Sequence, residues 1–144
     1  PLNKESLNMA TVTNLTQPYF EIDSNDFSDQ CTSCSIAYEI EALEATTVDD
    51  SARNYVAGLQ NNEITATLFI SYGATEVEGI LQGLIGTTFD TVVGATGSVA
   101  AADNPVYTLT GGYLASFTPI NGDFGTLSTV DITIQGGALT RAVA

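Results

Sequence analysis

The side chains of this sequence whose types and spacing could do chemistry are few. They are the Cys31-x-x-Cys34 pair, the acidic pairs Glu39/Glu41 and Asp49/Asp50, and the aspartates Asp23, Asp26 and Asp29. A Cys-x-x-Cys pair is half of a tetrahedral zinc site, but the chain has no His and only 2 Cys, so four nitrogen or sulfur ligands cannot come from one copy. As a redox pair it belongs at the start of a helix that follows a strand. Here it lies in Ser-Asp-Gln-Cys-Thr-Ser-Cys-Ser, ahead of a strand. The reading is reduced thiols, with a local disulfide as the alternative. Carboxylates two apart on a strand share a face, as a glycosidase-like site would need, but a solvated strand face needs the same spacing and is the reading taken. The aspartate groups could offer oxygens to a hard cation such as Ca²⁺, yet neither follows a twelve-residue calcium loop, and no metal is assigned.

Without His, Ser-His and Cys-His nucleophile pairs are impossible and the commonest general base is missing. The glycines of Gly94-Ala-Thr-Gly97 and Gly111-Gly112 are followed by no Lys-Ser/Thr and open no helix, so they do not cradle a phosphate. The expectation is no catalytic site, no cofactor and no enzyme.

Composition points the same way. The 144 residues suit one domain, residues 1–144, with a sizeable core. Charged residues are only 14% of the chain, so its polar surface must be built largely from Thr, Ser, Asn, Gln and Gly, as in all-β proteins. With few charges to hold copies apart, such a surface suits a subunit covered by its neighbours. The 17 acids against Lys4, Arg53 and Arg141 give a net charge of -14, which disfavours binding a nucleic-acid backbone. The acidity has two readings: solubility, or a wall that DNA passes without sticking. No apolar run of membrane-spanning length is present, and the start Pro-Leu-Asn-Lys-Glu-Ser-Leu-Asn lacks a signal-peptide core, so neither membrane insertion nor secretion is expected.

The elements that must carry this surface follow from periodicity. Residues 1–34 read as a partly irregular arm, with a short strand hinted at Asn8–Leu15 by Met9, Val12 and Leu15, and a loop from Gln17 to Cys34. Ile36, Tyr38, Ile40 and Ala42 alternate with Ser35, Ala37, Glu39 and Glu41 in one strand, and Glu63–Tyr72 alternates likewise. Between them Glu44–Gln60, some 17 residues, reads as a long loop. Val77, Ile80, Leu81, Leu84 and Ile85 make one apolar stripe of a helix over about 76–85, capped by Thr75 and Glu78 and stopped by Gly86. Gly79 and Gly83 weaken it, so its stability must come from packing on a sheet. Strands follow at Thr87–Val93, Val106–Phe117 and Gly125–Gln135, the last two as a hairpin around Asn121-Gly122; residues 136–144 read as a flexible tail.

This order of elements, and above all the closing Gly-Tyr-Leu-Ala-Ser-Phe-Thr-Pro-Ile-Asn-Gly-Asp-Phe-Gly-Thr-Leu-Ser-Thr-Val-Asp-Ile-Thr-Ile-Gln-Gly-Gly-Ala-Leu-Thr-Arg of residues 112–141, resembles the major tail tube proteins of long-tailed (siphovirus-type) bacteriophages. The resemblance implies a mainly β fold, a tail-tube-type β-sandwich or split barrel with one flanking helix and long loops. It implies hexameric rings stacked into a virion tube that conducts DNA, made in the host cytoplasm. The implied partners are further copies of the chain and tape-measure, tail terminator and distal tail proteins. In such a tube every second side chain of an inner strand faces the lumen, which makes Glu39, Glu41, Glu63 and Asp131 the lumen candidates. The long loop would reach the next ring, with Asp49, Asp50, Arg53 and Tyr55 as stacking candidates; Tyr55 stands where many relatives have Trp. Arg53 would pair either across the subunit boundary or locally within the loop. The rival readings are a tail terminator or contractile-system tube protein of related fold, and an extracellular β-sandwich adhesin or binding module.

Overall fold

The computed structural model describes residues 17–102 and 104–143. The expected strand at Asn8–Leu15 lies outside the described residues. The described chain forms β1 (Tyr19–Ile22), β2 (Asn25–Asp26), β3 (Cys31–Ala37), β4 (Ile40–Glu44), β5 (Tyr55–Gln60), β6 (Glu63–Phe69), α1 (Val77–Leu84), β7 (Thr88–Gly94), β8 (Val106–Phe117), β9 (Thr129–Gln135) and β10 (Ala138–Ala142). The fold is mainly β, a sandwich-like antiparallel sheet with one short helix.

Its strands run in the order β2-β1-β7-β8-β9-β6-β3, with β10 added beside β8. The long β8 holds the two halves together. β7 pairs along one edge of it from Val106 to Tyr113, while on the other edge its first part, Val106–Thr110, pairs with β10 and its last part, Tyr113–Phe117, with β9. The change falls at Gly111, whose φ of +77° few residues with a side chain adopt and whose amide donates to the Asp90 carboxylate at 3.1 Å.

Period-two alternation buries one row from each central strand: Ile64, Ala66 and Leu68 from β6, and Val130, Ile132 and Ile134 from β9. Val77, Leu81 and Leu84 of α1 join this core, and Ile80 packs partly against it. Ile85, expected in the same stripe, is 50% exposed because the helix ends at Leu84 and the chain turns away in extended backbone. The expected capping box does not form either. Glu76 occupies the cap position without a side-chain cap, and Ser71 takes the role, its hydroxyl donating to the Glu76 carboxylate and accepting from the Val77 amide. At the other end Thr87 donates its amide and hydroxyl to the Leu84 carbonyl, next to Gly86 at a φ of +83°.

Several expectations are corrected. The segment 17–34 is no irregular arm: β1 pairs along β7, and Phe20, Ile22 and Phe27 lie in the core. The residues 136–144 are not a free tail where described, because β10 is registered on β8 and buries Leu139. The strand read over Ser35–Ala42 is two, β3 in the main sheet and β4 in a separate two-stranded sheet with β5. The Glu44–Gln60 loop is therefore the turn of a hairpin, with β5 as its returning strand. β9 starts at Thr129 and not at Gly125, so Asn121-Gly122 sits inside a longer loop, over 118–128. No helix among the described residues is long and apolar enough to cross a membrane.

Candidate functional site

The face of the main sheet opposite the core is built from the polar half of each alternation. Register sets Thr65 between Ser35 and Thr133, and Thr67 beside Asp131. The groups bond to one another: the Ser35 and Thr65 hydroxyls lie 3.2 Å apart, Thr67 donates to Asp131 at 2.7 Å, and Gln135 donates to Glu63 at 3.1 Å. Glu63 and Asp131 thus share one hydroxyl-lined face, each carboxylate held by a neighbour. Glu39 and Glu41 are not there. Glu39 lies in the link between β3 and β4 and Glu41 in β4, so the break at Tyr38–Glu39 carries both onto the hairpin.

The β4–β5 hairpin differs from the rest of the molecule. Every residue of β4 and all of β5 except Gly58 are exposed, so both faces of the ribbon are open. Many of its side chains are nonetheless apolar: Ile40, Leu43, Tyr55, Val56 and Leu59, the last 79% exposed, with Tyr38 exposed in the link before β4. The turn is ordered by its own polar groups. The Asp50 carboxylate accepts from the Thr47 amide at 2.7 Å and from its hydroxyl at 3.2 Å, and these bonds hold its pKa below the usual value. Arg53 meets Glu44 at 3.4 Å, with both side chains largely in solvent at 73% and 46% exposure. Of the two pairings expected for Arg53, this is the local one within the hairpin. Tyr55 stands exposed on β5, opposite Glu44, and Asp49 is exposed in the turn.

Sequence reasoning missed the residues that anchor this hairpin. Asn62 is fully buried at its base, its side-chain amide donating to Gln60 at 2.9 Å and to the Gly137 carbonyl at 3.3 Å, while its backbone carbonyl accepts from the Gly136 amide. Gln60 in turn accepts from the Leu139 amide, so the ribbon is fastened to β10. The Asn61-Asn62 dipeptide between two alternating runs was the available signal. A second apolar group also went unnoticed. Ile120, Phe124 and Leu127 stand out from the loop 118–128, Phe124 fully exposed. This loop adjoins the end of β6 at Phe69, while the hairpin joins β6 at Glu63, so the two apolar patches lie at opposite ends of the same strands.

Both thiols are half-buried and unpaired. Burial raises the pKa of each, that of Cys34 to about 12. Among the described residues no three His, Cys, Asp or Glu side chains stand together as metal ligands.

The described residues thus form a sheet with a polar outer face, an apolar ribbon at one end and an apolar loop at the other. Solved structures of similar fold are chains of assembled particles. A chain of the virion of the native gene transfer agent (GTA) particle superposes with a TM-score of 0.70 at 11% identity, over 91% of this chain and 99% of that one. A chain of the sheath/tube terminator of an extracellular contractile injection system (PVC) gives 0.70 at 12% identity, over 93% and 99%. A chain of the sheath-tube complex of that system gives 0.69 at 9% identity, over 100% of both. No protein-family model and no curated protein matches the sequence. At such identities the likeness is one of fold.

Proposed function

We propose that this chain is a structural subunit of a phage-type tail tube, assembling into rings that stack around a channel for DNA. The observation that carries the reading is the β4–β5 hairpin, an ordered ribbon with apolar side chains on open faces, projecting from a body whose fold is that of tube and terminator components. Isolated two-stranded ribbons are marginal in water, and this one gains stability by lying on another copy. The placement of hairpin and Phe124 loop at opposite ends suits head-to-tail stacking, in which two different patches meet and the assembly stays open. Unpaired sheet edges would join neighbouring subunits within a ring, which removes them as aggregation sites. Six copies per ring is supported by the similarly folded tail of the empty GTA particle, which was refined with C6 symmetry.

In this reading the hydroxyl-lined face with Glu63 and Asp131 is the lumen wall. Six chains of net charge -14 repel DNA, so it slides without phosphate contacts that must be broken at each step. Glu39 and Glu41 then belong to the contact between copies. The partners are further copies together with tape-measure, terminator and distal tail proteins, and the location is the virion. A terminator role is the second reading, favoured by the equal likeness to a sheath/tube terminator.

Electron microscopy of concentrated protein decides between them: tubes support the tube reading, single rings the terminator, and monodisperse monomers overturn both. Deleting residues 48–57 should leave a folded subunit that makes no tubes. A reconstruction of the tubes with Glu63 and Asp131 on the outer wall would overturn the lumen assignment.

A further inference from the structure

The base of the hairpin covers part of the main sheet, at the edge of β10 that faces away from β8. Side chains stand there in place of a strand. The Leu139 amide donates to the Gln60 side chain at 3.4 Å, the Leu139 carbonyl accepts from the Tyr38 hydroxyl at 3.5 Å, and the Gly137 carbonyl accepts from Asn62 at 3.3 Å. By the alternation of a strand, Arg141 turns its amide and carbonyl the same way, and among the described residues neither has a backbone partner. We infer that Tyr38 and Gln60 act as a cap on this edge, keeping the β10 of a second copy from pairing with it.

The edge is complementary to itself. Turned antiparallel about Thr140, a second β10 sets its Arg141 opposite Leu139 and its Leu139 opposite Arg141, so each pair exchanges both backbone bonds and the two guanidinium groups are not directly opposite. Such a contact is two-fold and closes on itself as a dimer. The cap therefore turns the subunit away from a closed pair and leaves contacts between unlike surfaces. β1 is guarded by the same means: the Phe20 amide donates to the Ser28 hydroxyl at 3.0 Å and its carbonyl accepts from the Phe27 amide at 2.8 Å. The covers differ in one respect. β1 is closed by the chain that follows it, whereas β10 is closed over longer bonds by a ribbon that packs extensively on no other element. The inference does not depend on the tube reading.

Full-length Tyr38→Phe/Gln60→Ala protein tests it, at dilutions where microscopy shows tubes of neither parent nor variant. Sedimentation velocity reports mass, and amide hydrogen exchange reports the edge. In the parent the Leu139 amide should exchange slowly and the Arg141 amide fast, with no dimer. In the double variant Leu139 should exchange at least about tenfold faster at the lowest concentration. As concentration rises a dimer should form, and both amides should become protected together. Gln60→Glu, which keeps an acceptor for the Leu139 amide, should behave as the parent does. Leu139 exchange within about twofold of the parent overturns the inference, as does a double variant that forms no dimer. A dimer that leaves Arg141 unprotected also overturns it, because the copies then meet elsewhere. If the double variant does not fold, Gln60→Ala alone, at an exposed position, is read in the same way.

Discussion

The β6 strand and the β4–β5 hairpin have similar sequences and opposite fates. Ile64, Ala66 and Leu68 alternate with polar residues and are buried; Ile40, Leu43, Val56 and Leu59 are as apolar and stand in solvent. Alternation fixes which side chains share a face, but whether anything lies against that face is decided by the neighbours. β6 has β9 and β3 beside it and the core beneath, whereas β4 and β5 have only each other. The body is therefore packed within itself, whereas the hairpin leaves its apolar side chains in solvent; in the proposed tube, other copies would cover them.

The comparison breaks if equal truncations cost the same in both regions. Leu81→Ala, at a fully buried position of α1, should destabilise the subunit by about 2–5 kcal/mol in denaturant unfolding. Leu59→Ser on the hairpin should cost under about 0.5 kcal/mol in the same assay and still abolish tubes. Ile85→Ala should resemble Leu59→Ser in stability, since the side chain is half in water. A cost for Leu59→Ser close to that for Leu81→Ala would mean that the hairpin is part of the subunit's own core.

The junction of the two regions should respond next most strongly. Asn62→Ala removes the donor to the Gly137 carbonyl and to Gln60 in a fully buried place, and should cost about 1–3 kcal/mol by thermal or chemical unfolding. Amide exchange should then quicken in both β10 and the hairpin base. Exchange confined to the hairpin would show that Gln60 alone holds it to β10.

These cases also show what the sequence made legible. β8 and the position of α1 can be read because their patterns are long and bounded by Gly and Pro, and the alternation of Val130, Ile132 and Ile134 puts them on the one face of β9 that is buried. The start of β1 is hidden because Phe20 and Ile22 alternate with Glu21 and Asp23, and the acids suggest a loop. β10 is short and built of Ala, Leu, Thr and Arg, with Leu139 its one buried anchor. The split of Ser35–Ala42 into β3 and β4 leaves no trace, since alternation runs through Tyr38 and Glu39 without interruption while the partner strand changes from β6 to β5. The Phe124 loop reads as shorter than it is, with a strand from Gly125, because Asn-Gly is a strong turn signal whatever the length of the loop around it.

A smaller effect, confined to the body, is set by pH. Cys34 is protonated in the fold up to about 12, against an ordinary thiol value of 9.0, because burial disfavours the thiolate. A raised folded pKa contributes stability that is fully present below the unfolded value and is lost as pH rises through the folded one. Unfolding free energy should therefore fall between about pH 9 and pH 12, and Cys34→Ala should flatten the part of that slope that comes from this thiol. A slope unchanged by Cys34→Ala would assign the loss to other groups. The hairpin contains no such thiol, and its Asp50 works in the other direction: a lowered folded pKa supports the turn at neutral pH and ceases to do so in acid.

The smallest expected effect belongs to Arg53, and it sharpens the contrast because this residue joins hairpin to hairpin and nothing to the body. Its guanidinium lies 3.4 Å from Glu44, across the ribbon, and both side chains are mostly solvated. Exposed pairs of this kind contribute up to about 1 kcal/mol, since water and salt screen the attraction and two long side chains must be held still. Arg53→Ala should therefore leave subunit stability within about 1 kcal/mol. If the pair stays local in the tube, the salt concentration at which tubes dissociate should also be unchanged, because no charge contact between copies has been lost. If Arg53 instead leaves Glu44 for an acid of the next ring, the new pair is desolvated and its removal costs several kcal/mol per contact. Tubes of the variant would then fall apart at a salt concentration the parent withstands. Sedimentation of parent and variant tubes across a salt series separates the two, and with -14 on every chain the parent itself should assemble more readily as salt screens repulsion. An Arg53→Ala tube that is less stable at every salt concentration, with no change in subunit stability, would move this residue from the hairpin's own turn to the contact between rings.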